Sequence, residues 1–210
     1  MRAWLKVVVW FAVLTGAALI VLYQFFFTWR VPADDPLLSA SIEPTLSAGD
    51  LVVIVRGSSV ARGNLLRCAD PDASGRFVIG RAIGQSGDHV ELSNEVVTVD
   101  GHRNPSPRAC DSPVVTVTDP RDGEDIDLSC AVEEYGERAF SALRAPQRPE
   151  APTHVTVEAG LWFLVSDNRH VHLDSRDYGQ VDARGCQHIV FRLVSATGFG
   201  DSKRRLSIVW

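Results

Sequence analysis

Histidine and aspartate alternate within SDNRHVHLDSRDYG, residues 166–179, in a pattern that could carry chemistry. In an extended segment, residues two apart point to the same side, so His170, His172 and Asp174 would share one face. An imidazole with an ordinary pKa of about 6.5 accepts a proton readily at neutral pH. Histidine and aspartate together also form zinc sites. The stretch therefore predicts either a general base or, as a weaker alternative, a metal ligand set.

A nucleophile for such a base is present far upstream, in Ser41-Ile42-Glu43-Pro44-Thr45-Leu46. Serine before a proline-containing turn is common in loops, so this motif alone is a weak signal. A serine hydroxyl attacks a carbonyl only when a neighbouring group accepts its proton. Lysine, one such group, occurs only at Lys6 and Lys203.

The composition of the 210 residues limits the function classes. A net charge of −5 and the absence of any basic run exclude a nucleic-acid footprint, which needs clustered lysine and arginine. The length fits one well-buried domain with a smaller appendage.

An uncharged run covers residues 7–27 and is longer than the roughly 20 residues that cross a bilayer as a helix. A cleaved signal peptide would have a shorter apolar core and a small-residue cleavage site. We therefore predict a transmembrane helix over residues 7–29. Arg2 and Lys6 precede it, so the positive-inside rule places residues 1–6 in the cytoplasm and the rest outside.

The cysteines fit an extracytoplasmic domain, where disulfides persist. Cys110 and Cys130 flank two alternating, strand-like runs around the turn Asp119–Gly123, so folding this hairpin brings them together. We predict a Cys110–Cys130 disulfide, while Cys68 and Cys186 could be paired or free.

The remaining pattern is that of strands. Residues 51–55 form a β-branched run, and further strand-like runs follow, whereas no helical periodicity is present between the apolar run and Ala183. The soluble part is predicted as a mainly β fold, a folded antiparallel sheet or partial barrel. It comprises residues 30–102 and 154–210, with an inserted β subdomain over 103–153 that holds the disulfide hairpin.

Four motifs in order then point to a family: the serine box, Gly49-Asp50-Leu51-Val52-Val53, the stretch from Arg81 to Leu92 containing Arg-x-x-Gly-x-x-Gly-Asp, and residues 166–179. This order of motifs, after a predicted membrane anchor, resembles that of the type I signal peptidases. These are membrane-anchored serine endopeptidases that remove signal peptides from exported proteins. The resemblance covers nearly all of the chain. It implies that Ser41 is the nucleophile, that its backbone N–H helps to hold the oxyanion, and that the substrate lies extended beside strand edges.

The chain departs from the family pattern at three positions. Gly80 stands before Arg81, where bacterial members have the lysine that acts as general base and eukaryotic-type members have a histidine. Ser166 replaces the glycine that opens the last box. His172 replaces a serine that hydrogen-bonds the catalytic lysine in the family. Lys6 and Lys203 cannot take over, because one lies across the membrane and the other in the C-terminal tail.

The departures at Gly80 and His172 suggest a single change, in which the catalytic base has moved from one position to the other. The imidazole of His172 could reach into the volume that Gly80 vacates, where a base for Ser41 is needed. We therefore predict a Ser41–His172 dyad, because a histidine is a competent base without the large pKa shift that a lysine requires.

Other interpretations stay open. His89 or His170 could be the base instead, or the chain could be an inactive relative that binds without cleaving. Asp174 or Asp167 could orient the imidazole, although the resemblance gives these aspartates a mainly structural role, paired with Arg169 or Arg176.

Supporting roles near the site are expected for Gly80, Arg81, Asp167, Asp174, Ser175 and Arg176. The resemblance implies no cofactor and no metal. It implies preproteins bearing signal peptides and membrane lipid as partners, with secretion machinery as a further candidate. It places the chain as a single-pass protein in the bacterial cytoplasmic membrane, with the catalytic domain extracytoplasmic.

Overall fold

The chain begins with a long apolar helix that leads directly into a sheet. The computed structural model describes residues 2–57, 59–145 and 151–209. Helix α1 spans Arg2–Phe25 and strand β1 spans Phe26–Arg30. Within α1, residues Trp4–Phe25 have a mean hydropathy of 2.4, and 0% of this stretch is buried. By length and composition this helix can cross a membrane.

The boundary of the helix differs from the predicted span of 7–29. Residues 26–29 lie in β1, which pairs antiparallel with Leu51–Val55, strand β2. The apolar run thus continues from the helix into an edge strand, which hydropathy alone does not separate.

Between β1 and β2 lies a short helix, α2, over Pro36–Ser41. The strands that follow are β3 (Leu65–Ala69), β4 (Phe77–Gln85), β5 (His89–Ser93), β6 (Val96–Val99), β7 (Val114–Thr118), β8 (Asp125–Tyr135), β9 (Arg138–Arg144), β10 (Thr153–Thr156) and β11 (Leu161–Val165). The C-terminal part contains α3 (Ser175–Tyr178), β12 (Val181–Asp182), β13 (Cys186–Val194) and β14 (Ser207–Ile208).

These strands form three antiparallel sheets among the described residues. The main sheet has the order β1-β2-β13-β3-β4-β11-β12, with β14 added to β13. A second sheet has the order β10-β5-β6, and the third has the order β7-β8-β9. This curled, mainly β architecture behind an apolar helix confirms the predicted fold class.

The third sheet falls within the predicted inserted subdomain of residues 103–153, but residues 146–150 of that range lie outside the described part of the chain. So does Met1 of the predicted cytoplasmic segment 1–6. Residues 153 and 156 bound β10, which pairs with β5 rather than with the third sheet.

Separate hydrophobic clusters hold the layers together. One packs α2 and the loop after it onto one face of the main sheet through Leu38, Ile42, Leu46, Ile54 and Ile79. Another packs the third sheet against α2 through Ala40, Val117, Leu128, Leu143 and Val171. Helix α2 is therefore fixed on two sides, by the main sheet and by the third sheet.

Two disulfides reinforce this arrangement. Cys110 and Cys130 are bonded, as predicted from the hairpin. Cys68 and Cys186, which the sequence left open, are also bonded and connect β3 to β13. They lie opposite each other in the ladder.

Candidate active site

Ser41 is the last residue of α2. The helix begins after Asp35, whose side chain accepts a hydrogen bond from Leu38 N at 3.0 Å, and Pro36 occupies its first turn. Six residues are too few for a visible helical period, so this helix is not evident from the sequence. Ser41 is 0% exposed, and its Oγ donates to Leu38 O at 2.7 Å. The hydroxyl is thus held against its own helix.

Asn168 joins this helix to the loop that carries the histidines. Its Nδ2 donates to Ala40 O at 3.1 Å, and its backbone N–H donates to Ser41 O at 3.0 Å. Its Oδ1 accepts from His170 N at 3.1 Å and from Val171 N at 2.9 Å. This side chain was quoted in the motif but was given no role from the sequence.

Arg81 and Asp167 form a fully buried ion pair. Arg81 Nε and Asp167 Oδ1 are 2.9 Å apart, and both side chains are 0% exposed. Arg81 also donates to Gly63 O and to Thr45 Oγ1, which in turn donates to Asp167 Oδ2. A buried charge pair with this many hydrogen bonds fixes β4, the segment after Ser41 and the start of the histidine loop in one position. Asp167 pairs with Arg81 instead of Arg169 or Arg176.

Asp174 forms the second framework pair, with Arg176, as the sequence predicted. Arg176 Nε and Nη2 each lie 2.9 Å from an oxygen of Asp174. Asp174 also accepts from Ser166 N and caps α3. Burial alone would raise the pKa of this carboxyl, but Arg176 and the hydrogen bonds lower it to about 2. Ser175 supports the same region, because its Oγ accepts from Leu164 N.

His172 is oriented by Asp177, a residue for which no role was predicted from the sequence. His172 Nδ1 lies 2.9 Å from Asp177 Oδ2, and the imidazole side chain is 14% exposed. Burial, the largest influence, lowers the pKa of His172, but the hydrogen bond that the imidazole donates to Asp177 and the charges of the nearby carboxylates outweigh it and leave the pKa raised. Asp177 belongs to the capping box of α3, which folds it back onto residues 172–174.

Gly80 lies in the middle of β4, opposite Leu66 of β3. A Cβ added at this position would meet Leu164 Cβ at 3.0 Å and the backbone of Val165 at 3.5 Å. The position where the family carries its base is therefore closely packed by β11 and leaves little room for a side chain.

The alternative bases have different surroundings. His170 is buried and its Nδ1 lies 2.9 Å from Glu95 Oε1, also buried. It is thus directed to the β5–β6 turn, whereas His172 is directed to α3, so the two do not share one ligand face. His89 is 75% exposed, with Nδ1 3.7 Å from Asp100.

A group able to hold a metal ion comprises His172, Asp174 and Asp177, whose ligand atoms lie within 4.8 Å of one another. Both oxygens of Asp174 already bond Arg176, and Asp177 already bonds His172. These ligand atoms are committed to the framework described above.

Comparison with known proteins agrees with the resemblance stated from the motifs. The family described as signal peptidase, peptidase S26, matches residues 1–190. The chain belongs to this family. Membership of this peptidase family supports serine-type peptidase chemistry, and the apolar helix α1 is compatible with a membrane anchor.

Solved structures also match this signal peptidase family member. One is the crystal structure of a signal peptidase I from Enterococcus faecalis, with 19% sequence identity and a TM-score of 0.37. The match covers 63% of the present chain and 97% of the other. No curated protein matches.

Proposed function

We propose that this chain is a serine endopeptidase resembling signal peptidase I, which cleaves signal peptides from exported preproteins. Ser41 is the nucleophile and His172 is the general base. The observation that carries the proposal is the position of Asn168, whose hydrogen bonds join the helix bearing Ser41 to the loop bearing His172. Asn168 lies 128 positions after Ala40, so these bonds hold two segments that are distant in the sequence next to each other.

The geometry of His172 suits a base. With Nδ1 donating to Asp177, the neutral imidazole carries its lone pair on Nε2, the atom that would accept the proton of Ser41. Ser41 Oγ attacks the scissile carbonyl, the acyl–enzyme forms, and the imidazolium returns the proton to the leaving amine. Water then repeats the proton transfers in the hydrolysis of the ester. Asp177 stabilises the imidazolium in both steps.

For this reaction the Ser41 hydroxyl must leave Leu38 O. The hydrogen bond at 2.7 Å to that carbonyl holds the hydroxyl in a resting rotamer, and a hydrogen bond from the hydroxyl to Nε2 of His172 has to replace it. Because an exchange of one neutral hydrogen bond for another is nearly balanced in energy, substrate binding can drive the rotation.

The proposal is tested by cleavage of a preprotein bearing a signal peptide, with the full chain in detergent. Activity should be lost in Ser41→Ala and kept in the control Ser74→Ala, which changes an exposed serine in a turn. His172→Ala should lose about 100-fold or more in rate, in the range that general bases contribute. His89→Ala should change little. Full activity in His172→Ala would contradict the proposed Ser41–His172 dyad.

A second function is favoured by the same resting geometry. Complete burial of Ser41, its bond to Leu38 O and the close packing at Gly80 would also suit a membrane-tethered protein that binds preproteins without cleaving them. Absence of turnover by the wild-type chain at every pH from about 6 to about 9, a range in which a histidine base passes from its charged to its neutral form, would establish this alternative.

The cellular setting follows from the same proposal. The apolar helix would anchor the chain in the cytoplasmic membrane with its N-terminus inside, since Arg2 and Lys6 precede the span. The β domain would then face the exported preproteins and contact membrane lipid. Secretion machinery would deliver the substrates.

A further inference from the structure

A cavity of about 480 Å³ lies between α2 and the third sheet. Its lining is made mostly of small residues and includes Ala33, Ser39, Ala40, Ala48, Thr116 and Thr118. Ser39 and Ala40 directly precede Ser41, so the cavity borders the segment that carries the nucleophile. We call it the β7 groove.

One wall of the β7 groove is the edge of a sheet. β7 is the first strand in the order β7-β8-β9, and among the described residues it is hydrogen-bonded to β8 alone. Cys130 N–H donates to Pro113 O, and Asp119 N–H donates to Glu124 O. Hydrogen-bonded pairs alternate in an antiparallel ladder, so the main-chain groups of Val115 and Val117 also face β8. Those of Thr116 and Thr118 face away from β8.

The side chains of this edge are already engaged. Thr116 Oγ1 donates to Asp127 Oδ1 at 2.7 Å and Thr118 Oγ1 donates to Asp125 Oδ1 at 2.6 Å. Val117 is buried against Ala40. The edge therefore offers main-chain N–H and C=O groups, which pair with an extended peptide of almost any sequence.

A second cavity, of about 530 Å³, borders α2 elsewhere and is lined by Trp29, Leu38 and Phe77 among others. Trp29 belongs to β1, which follows the membrane helix directly, and these three residues give the cavity an apolar side, next to the charged residues Asp34, Asp35 and Arg76. An apolar signal sequence anchored in the membrane fits the apolar side of this second cavity. The β7 groove, lined by small residues and backbone, is then left for the chain on the other side of the cleaved bond.

We propose that the β7 groove binds, by addition of a strand to β7, the extended stretch of substrate that follows the scissile bond. The proposal rests on the proposed function for the identity of the substrate. It makes the third sheet a part of substrate recognition. The small walls favour small and medium side chains in that stretch, and the backbone pairing makes recognition tolerant of sequence.

Binding to a Ser41→Ala chain tests the groove without requiring turnover. Two fluorescent peptides from one preprotein are compared by anisotropy, with the full chain in detergent. One ends about two residues after the scissile bond, and the other continues for about eight more, roughly the length of a strand. We expect the longer peptide to bind about fivefold to tenfold tighter, the gain from one or two net hydrogen bonds.

Thr116→Pro, added to Ser41→Ala, removes an outward N–H without removing a ladder hydrogen bond. It should abolish the advantage of the longer peptide and leave binding of the shorter one unchanged. The matched control is His154→Pro, in another edge strand. Val157 N–H donates to Asp88 O, so the main-chain groups of His154 likewise face away from β5. This control should keep the advantage.

Ala33→Trp gives an independent check, because it fills the rim of the groove from an exposed loop residue and leaves the ladder intact. It should also abolish the advantage. Three results would contradict substrate binding in the β7 groove. The two peptides could bind the Ser41→Ala chain equally, neither peptide could bind, or the advantage of the longer peptide could survive both Thr116→Pro and Ala33→Trp. If the chain with Ser41 intact cleaves both peptides at equal rates, the proposed function is supported and the role of the β7 groove in substrate binding is contradicted.

Discussion

His172 and Asp177 form a pair whose protonation decides when the imidazole can act as a base. Burial lowers the pKa of His172, and the Asp177 carboxylate, with Asp174 nearby, raises it above its usual value. A histidine is a base only in its neutral form, so the rate should rise with pH as His172 loses its proton. Because the pKa is raised, this rise should occur at a higher pH than for a free histidine.

Asp177→Asn tests this pair. Without the carboxylate, the pKa of His172 should fall and the acidic limb of the pH–rate profile should move to lower pH. The plateau rate should also fall by about tenfold or more, because an amide can favour the wrong tautomer. The measurement is kcat/KM against pH for the preprotein, with Asp182→Asn as the control at an exposed aspartate paired with Arg184. An unshifted acidic limb would show that His172 is not the titrating base.

The packing around Gly80 differs from what the sequence predicted. The sequence suggested that the missing lysine leaves a volume for His172, but Leu164 Cβ lies 3.0 Å from a Cβ at this position. The packing arises from the β4–β11 pairing, which contains a register shift between Phe163 and Leu164. A shift of this kind is set by tertiary contacts and leaves no pattern in the sequence.

Helix α2 and the loop of residues 166–173 behave as one unit, because Asn168 bonds both. Main-chain groups on each side, Ala40 O and Ser41 O on the helix and His170 N and Val171 N on the loop, depend on this one residue. The position of Ser41 relative to the loop that carries His172 is thus controlled by the junction between the two elements and not by either element alone.

Asn168→Ala should separate the two elements. It removes three of these hydrogen bonds and leaves buried N–H and C=O groups without that partner, at a cost of about 2–3 kcal/mol in the free energy of unfolding. We expect kcat to fall by about tenfold or more with a smaller change in KM, since the fault is in catalytic alignment.

Chemical denaturation and steady-state kinetics measure the two effects. Asn104→Ala, at a position where the backbone O accepts from Glu134 N, is a control that leaves the main-chain bond in place. A variant at 168 with normal kcat would mean that the junction only stabilises the fold.

The elements divide into those that the sequence predicts and those that it does not. The apolar helix and strands such as β2 and β7 follow from runs of apolar or β-branched residues. Helices α2 and α3 have six and four residues, too few for a period to be visible. The partners of His172 and Asp167 were missed because α3 and β4 bring them close only in the folded chain.

At the scale of the whole molecule, the two disulfides constrain very different lengths of chain. Cys110–Cys130 closes a sequence separation of 20 residues within the third sheet and its flanking segment. Cys68–Cys186 closes 118 residues and joins two neighbouring strands of the main sheet. The sequence predicted the first from its hairpin but could not predict the second, which depends on the sheet order.

Removal of each disulfide should therefore have unequal effects on stability. The loss of chain entropy in the unfolded state is worth about 5 kcal/mol for the longer loop and about 3 kcal/mol for the shorter one. Cys68→Ala with Cys186→Ala should lower the Tm more than Cys110→Ala with Cys130→Ala. Thermal unfolding followed by circular dichroism measures both, and an equal or reversed order would contradict the loop-length argument.

The hydrogen bonds of Asn168 also have a consequence for the timing of activity. Its bond to Ala40 spans 128 positions of the sequence, and His172 and Asp177 follow it within ten residues. A growing chain that has not yet reached this segment lacks Asn168, His172 and Asp177 together. Under the proposed function, proteolytic competence would therefore arise in one step once this segment has been synthesised, and products truncated before it would carry Ser41 without being able to cleave their neighbours.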